Sequence, residues 1–212
     1  STSAVDSFDV KETFNSVPFA DAMETISNTA FASGTCPCAK DPLFIHLRIM
    51  SDETSIYGQI ADTIESKLGG RLVGPEYGYE NHGKNIGLEK LCKFRGKVIV
   101  IADTSVNNLF TKTPLDELVN IASGGVFMRS LRYTSGVKDT PDLLGLIEFN
   151  KKNMSIVLPD LSVEANNYSF NQARAAGCQF PAMCLQNFDA DLDQFTEFFA
   201  SAGTAFVLKP KH

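Results

Sequence analysis

The chain has no apolar run long enough to span a bilayer, so no transmembrane helix is expected. It has no basic cluster, and its formal net charge is −6. Nucleic acid is thereby excluded as a partner, because a phosphate backbone is held by clustered cations. The N-terminal STSAVDSFDV has neither the basic start nor the apolar core of a signal peptide. It begins with Ser rather than Met, as a trimmed, processed or partial chain would. No G-x-G-x-x-G or Walker pattern follows any apolar run, which argues against the nucleotide site of an open doubly wound sheet. Internal repeats and low-complexity segments are absent. Histidine is scarce, and His46, His82 and His212 are scattered. The five cysteines are an odd number, and only Cys36 and Cys38, in GTCPCAKD, look like a pair. Zinc takes about four ligands, so no metal centre and no cofactor is expected. Reduced thiols point to an intracellular, reducing compartment.

What is present is a core-forming pattern, with 43% hydrophobic residues. Phe19, Met23, Ile26 and Ala30 recur at helical spacing over 19–31. Residues 42–50 read as a buried strand, followed by a helix with Ile56, Ile60 and Ile64 on one face and a stop at Gly69-Gly70. Residues 73–87 are Gly-rich and polar, an exposed loop, and LEKLCKF is a short helical piece. GKVIVIADTS is a second strand. Thr113-Pro114 opens a helix over LDELVNIAS that Gly124 closes. Residues 125–133 form a third strand, PDLLGLIEFNKKN a helix and MSIVLP a fourth strand. A polar loop over 164–179 leads into FPAMCL, the fifth. The helix DLDQFTEFFASAG carries Leu192, Phe195 and Phe199 and ends at Gly203. Short apolar strands alternating with longer helices predict an α/β fold with parallel strands. With no nucleotide motif, a single TIM-like barrel domain over 1–212 is favoured, although five strands cannot close an eight-stranded barrel.

Six segments in order carry a family resemblance. FADAMETISNTAF, DPLFIHLRIMS, LEKLCKFRGKVIVIADTS, LIEFNKKNMSIVLP, EANNYSFNQARAAGCQFPAMCLQNFD and GTAFVLKP resemble the phosphoinositide-specific phospholipase C barrel from before its fourth strand to its terminal G-Y-V-L-K-P. The resemblance runs from Phe14 to Pro210. It implies the C-terminal part of a (β/α) barrel, with the first strands missing. It assigns to Tyr168 the tyrosine that packs on the inositol ring, a role that competes with simply capping the barrel mouth. Ser130 matches a serine of the sixth strand, with Ser135 as its rival.

The charges of the chemistry are not matched. Arg48 falls on the calcium-binding glutamate, Ile101 and Asp103 fall on two phosphate-contacting lysines, and Ser162 falls near a substrate-binding arginine. The two family histidines would lie upstream, so no catalytic residue and no metal ligand is assigned here. Losing a metal ligand and two phosphate cations together removes the electrostatic stabilisation on which such catalysis depends. The resemblance therefore implies a catalytically degenerate barrel acting as a structural or binding module. The alternative is a metal-independent phosphodiesterase whose histidines lie on an upstream segment. Arg48 could hold a phosphate where bacterial relatives place an Arg, or pair with Asp103. His46 shares the strand face of Arg48, as a site residue or a hydrogen-bonded core histidine. Arg129 and Arg132 are candidate anion ligands or rim ion-pair partners. Phe195, Phe198 and Phe199 are core residues or an apolar patch. A barrel short of strands exposes apolar edges, so a protein partner or an upstream segment is expected to complete it, in a large assembly such as a virus particle. An inositol phospholipid headgroup is the ligand the resemblance implies.

Overall fold

The computed structural model describes residues 16–79, 85–162 and 166–209. His82 and His212 fall outside them, as do Phe14 and Pro210. The chain divides into two compact units at Phe127/Met128, and each holds one three-stranded parallel sheet.

In the first unit, α1 (Phe19–Thr29) packs on α2 (Thr54–Leu68). The buried face of α2 is Tyr57, Ala61, Ile64 and Leu68; Ile64 lies in the core as expected, Ile60 packs half-buried against it, and Ile56 is half-buried. The Tyr57 hydroxyl lies 2.7 Å from Ser51 O and 2.9 Å from Asn107 Oδ1, its one proton shared between the two acceptors. Strands β1 (Leu43–Leu47), β2 (Val98–Asp103) and β3 (Ile121–Ser123) pair in that order. All six residues of β2 are buried, as a strand covered on both faces requires. Alternation along the strands sorts the side chains. Ile45, Leu47, Val98, Val100, Ala102 and Ala122 join Ile64, Phe110 and Leu115 in the core beneath the helices. His46, Ile101, Asp103, Ile121 and Ser123 lie on the opposite face.

The helix expected over LDELVNIAS is one turn, α3 (Leu115–Leu118), and β3 follows it. Asn120 is the reason. Its backbone N–H donates to Val100 O at 2.9 Å, and its side-chain Oδ1 accepts from Val100 N–H at 2.9 Å. This clamps the chain to the edge of β2. The 73–87 segment, as far as it is described, contains 3-10 turns at Pro75–Tyr77 and Ile86–Leu88, and Ile86 is buried.

In the second unit, β4 (Met128–Arg132), β5 (Met154–Leu158) and β6 (Phe180–Pro181) pair in that order. A π-helical turn at Thr134–Lys138 leads to α4 (Leu143–Lys152), which is capped by the Asp142 carboxylate accepting from Gly145 N–H at 2.8 Å. Helix α5 (Phe170–Ala175) lies in the stretch expected to be loop. The fifth expected strand is two residues long because Asn167 takes over the backbone beyond it: its Oδ1 accepts from Cys184 N–H at 2.6 Å and its Nδ2 donates to Cys184 O at 3.2 Å. Helix α6 (Ala190–Ala202) is capped by Asp189 and closed by Gly203 at φ 65°. Phe195, Phe198 and Phe199 of α6 gather around Phe170 of α5, with ring centroids 5.3 to 6.4 Å away. Those three rings are half-buried packing residues.

Candidate functional site

In parallel α/β sheets, side chains at the C-terminal strand ends are the ones presented to ligands. In the first sheet these are Arg48, just past β1, Asp103 at the end of β2, and Ser123 at the end of β3. Register pairs His46 with Ile101 and Asp103 with Ser123, so His46, Ile101, Asp103 and Ser123 share a face. The His46 ring spans to β3, where Nε2 lies 2.8 Å from Ser123 Oγ. Burial pushes the imidazole below its ordinary pKa; the Asp103 carboxylate opposes that shift and the Arg48 guanidinium adds to it. Arg48 Nε stands 3.6 Å from Asp103 Oδ2. The other carboxylate oxygen, Oδ1, accepts from Ser105 N–H at 2.8 Å. Ile101 is 1% exposed and presents no polar group. The cluster therefore combines one permanent cation, one buried carboxylate, a neutral imidazole and a hydroxyl.

The second unit places its sequence-predicted residues differently. Tyr168 is buried, and its hydroxyl donates to Val157 O at 2.8 Å. Its ring stacks on Tyr133 at 4.6 Å between centroids, within a core of Val137, Leu146, Val157 and Ala173. Burial drives its phenol far above the ordinary tyrosine range. Ser130 is half-buried on β4 opposite Ile156, whereas Ser135 is exposed in the π-helical turn. Ser162 lies half-buried in the coil after β5. Arg132 donates to Pro159 O at 2.7 Å, and Arg129 lies over the Phe149 ring at 4.0 Å.

Arg48, Ile101 and Asp103 are thus brought together in one unit, and Tyr168 and Ser130 belong to the other. The polar residues that hold these positions were not singled out from sequence. Ser123 lay inside an expected helix. Asn150, 1% exposed, links α4, β5 and the turn before β6: Nδ2 donates to Ala176 O at 2.9 Å and Oδ1 accepts from Ser155 Oγ at 2.7 Å. A lone Asn among lysines at the end of an amphipathic helix gives little sign of such a role; its helical spacing from Leu146 is the one available cue. Among the described residues, no group of three or more His, Cys, Asp or Glu side chains is placed to hold a metal ion. All five cysteines are free thiols.

No protein-family model matches the chain, and no curated protein matches it significantly. Solved structures do. The crystal structure of L. pealei PLC21 superposes with a TM-score of 0.66 at 19% identity, and that of S. officinalis PLC21 with 0.69 at 18%. Each match covers 92% of this chain but 29% of the other, so the chain spans less than a third of their length. The chain has the α/β fold of the C-terminal part of a phospholipase C-like domain.

Proposed function

We propose that this phospholipase C-like domain is a non-catalytic structural or binding module. The Arg48–Asp103 pair carries the reading. Where the resemblance sets a calcium ligand and a phosphate-binding lysine, a guanidinium and a buried carboxylate neutralise each other. A divalent cation would meet the guanidinium first, and a phosphate would meet the carboxylate. Ile101, at the other lysine position, supplies no charge. Fold likeness to chains several times longer supports a second element of the reading: a protein partner or an upstream segment completes the sheets, and an inositol phospholipid headgroup is the candidate ligand. The test is phosphatidylinositol hydrolysis by the natural full-length protein, with and without calcium, alongside binding to vesicles containing the same lipid. No turnover in either condition is expected. Turnover that a barrel-mouth substitution abolishes overturns the reading.

A metal-independent phosphodiesterase is the second reading. It is favoured by a partly exposed Arg48 guanidinium beside a neutral imidazole at strand ends, an arrangement able to balance charge on a phosphoryl oxygen. Calcium-insensitive cleavage lost in R48M selects it.

A further inference from the structure

Two exposed apolar tips carry flanking charges of opposite sign. In the second unit, Leu185 and Phe188 follow β6, and Phe188 is 87% exposed. Asn167 fixes the backbone between them: besides its bonds to Cys184, its Nδ2 donates to Asn187 O at 2.9 Å. Asn187 in turn donates from its backbone N–H to Cys184 O at 3.0 Å and from Nδ2 to Asp189 Oδ2 at 3.0 Å. In the first unit, Leu88 and Leu91 form the other tip, and Leu88 is 66% exposed. Ile86 and Phe94 on either side are buried, so the two leucines stand outside an anchored segment. A tip already held in shape loses little freedom on docking. From 175 to 208 the chain has no Lys or Arg, and Asp189, Asp191, Asp193 and Glu197 follow Phe188. Asp191 and Asp193 suit the N-terminal turn of α6. Glu197 does not: it stands one turn after Asp193, both are exposed, and like charges at that spacing repel. The segment 88–97 instead carries Lys90, Lys93, Arg95 and Lys97 against Glu89. Glu89 is paired with Lys93, while Lys90 and Arg95 are exposed and make no ion pair among the described residues.

We propose that the 185–188 tip of one molecule docks on the 88–91 tip of a second copy, with Asp193 and Glu197 set against Lys90 and Arg95. Burial of Leu88, Leu91, Leu185 and Phe188 supplies the drive, and the opposed charges fix the orientation. An aromatic anchor inside a charged rim is the common anatomy of a protein contact. The partner is a second copy because the chain itself carries both halves, and both are exposed within a single chain. The formal net charge of −6 repels copies at a distance, and the cationic segment offsets that repulsion at the contact. The two surfaces differ, so the contact is heterologous. Each pairing leaves one tip free on each copy, and the assembly extends into a ring or an open chain. Loops and a helix surface make this contact, not strand edges, so it is separate from any segment that completes the sheets. It adds a partner to the structural-module reading.

The test is sedimentation velocity of the natural full-length protein up to about 100 µM at physiological ionic strength. Oligomers that grow with concentration are expected, and F188S should weaken association about tenfold or more. D193K/E197K and K90E/R95E should each abolish it. An equimolar mixture of those two variants should restore it, because the reversed tips match each other and so do the unreversed ones. A wild type that stays monomeric overturns the proposal, as does association untouched by F188S or by the charge reversals, or a mixture of folded variants that does not recover. Monomers that bind phosphatidylcholine vesicles through Phe188 would assign the tip to a lipid surface and overturn it as well. The wild-type series and F188S decide the matter should a charge variant fold poorly. The readout is a mass and not a turnover, so the self-association and the non-catalytic reading fail separately.

Discussion

Arg48 Nε lies 3.6 Å from Asp103 Oδ2; the Asp103 side chain has no exposed surface, and the Arg48 side chain is 28% exposed. A carboxylate out of water depends on its cation, because an unpaired buried charge costs several kcal/mol. R48M should therefore lower stability by roughly 3 kcal/mol in urea unfolding. The double variant R48M/D103L should recover most of that loss, since an apolar pair needs no counter-charge. A single substitution with no effect would mean the carboxylate is satisfied without Arg48.

The His46 ring makes stability depend on pH with a definite sign. Its folded pKa lies below the ordinary value because it is buried. Below about pH 6.5 the unfolded chain takes up the proton first. Its contribution to stability is complete above that value and is lost as pH falls toward the folded pKa. Thermal midpoints recorded against pH should show this slope, and H46Q should flatten it.

Calcium should leave the thermal midpoint unchanged at millimolar concentration. A ligand that binds only the folded state raises the midpoint by mass action, and a guanidinium opposes a divalent cation. A rise of several degrees would place a calcium site in the protein after all.

Asn150 holds α4 to β5 and to the turn before β6. N150A should cost roughly 2–4 kcal/mol, because it strands Ser155 Oγ and Ala176 O, both bonded to it now. Urea unfolding measures the loss. A cost below about 1 kcal/mol would mean that water replaces the amide.

Tyr168 separates a hydroxyl effect from a ring effect. Y168F removes the bond to Val157 O and should cost about 1 kcal/mol. Y168A also removes the stack on Tyr133 and should cost about 3–5 kcal/mol. Equal costs for the two variants would refute the packing account.

The element types were legible wherever local pattern and burial agree. LFIHL, VIVIAD and MSIVL are short apolar runs, and all three are strands in the structure. Gly203, expected to close the last helix, ends α6 at φ 65°. The errors arose where a distant partner outweighed local preference. LDELVNIAS has helical composition, but Asn120 binds Val100 on both its backbone and its side chain, and the last residues become strand. The polar stretch before Cys178 reads as loop, yet Phe170 and Ala173 are buried there and hold a helix in place.

The sequence by itself determined the alternation of strands and helices and the acidic balance. These follow from periodicity and residue chemistry, which act within a few neighbours along the chain. Only the tertiary structure decided that His46 meets Ser123 and that Arg48 meets Asp103. It also decided that Tyr168 turns its hydroxyl to a backbone carbonyl. Those contacts depend on strand register, in which a slip of one residue would turn every side chain of β2 to the other face. Register is set by the packing of the whole sheet against its helices, and no local stretch of sequence contains it.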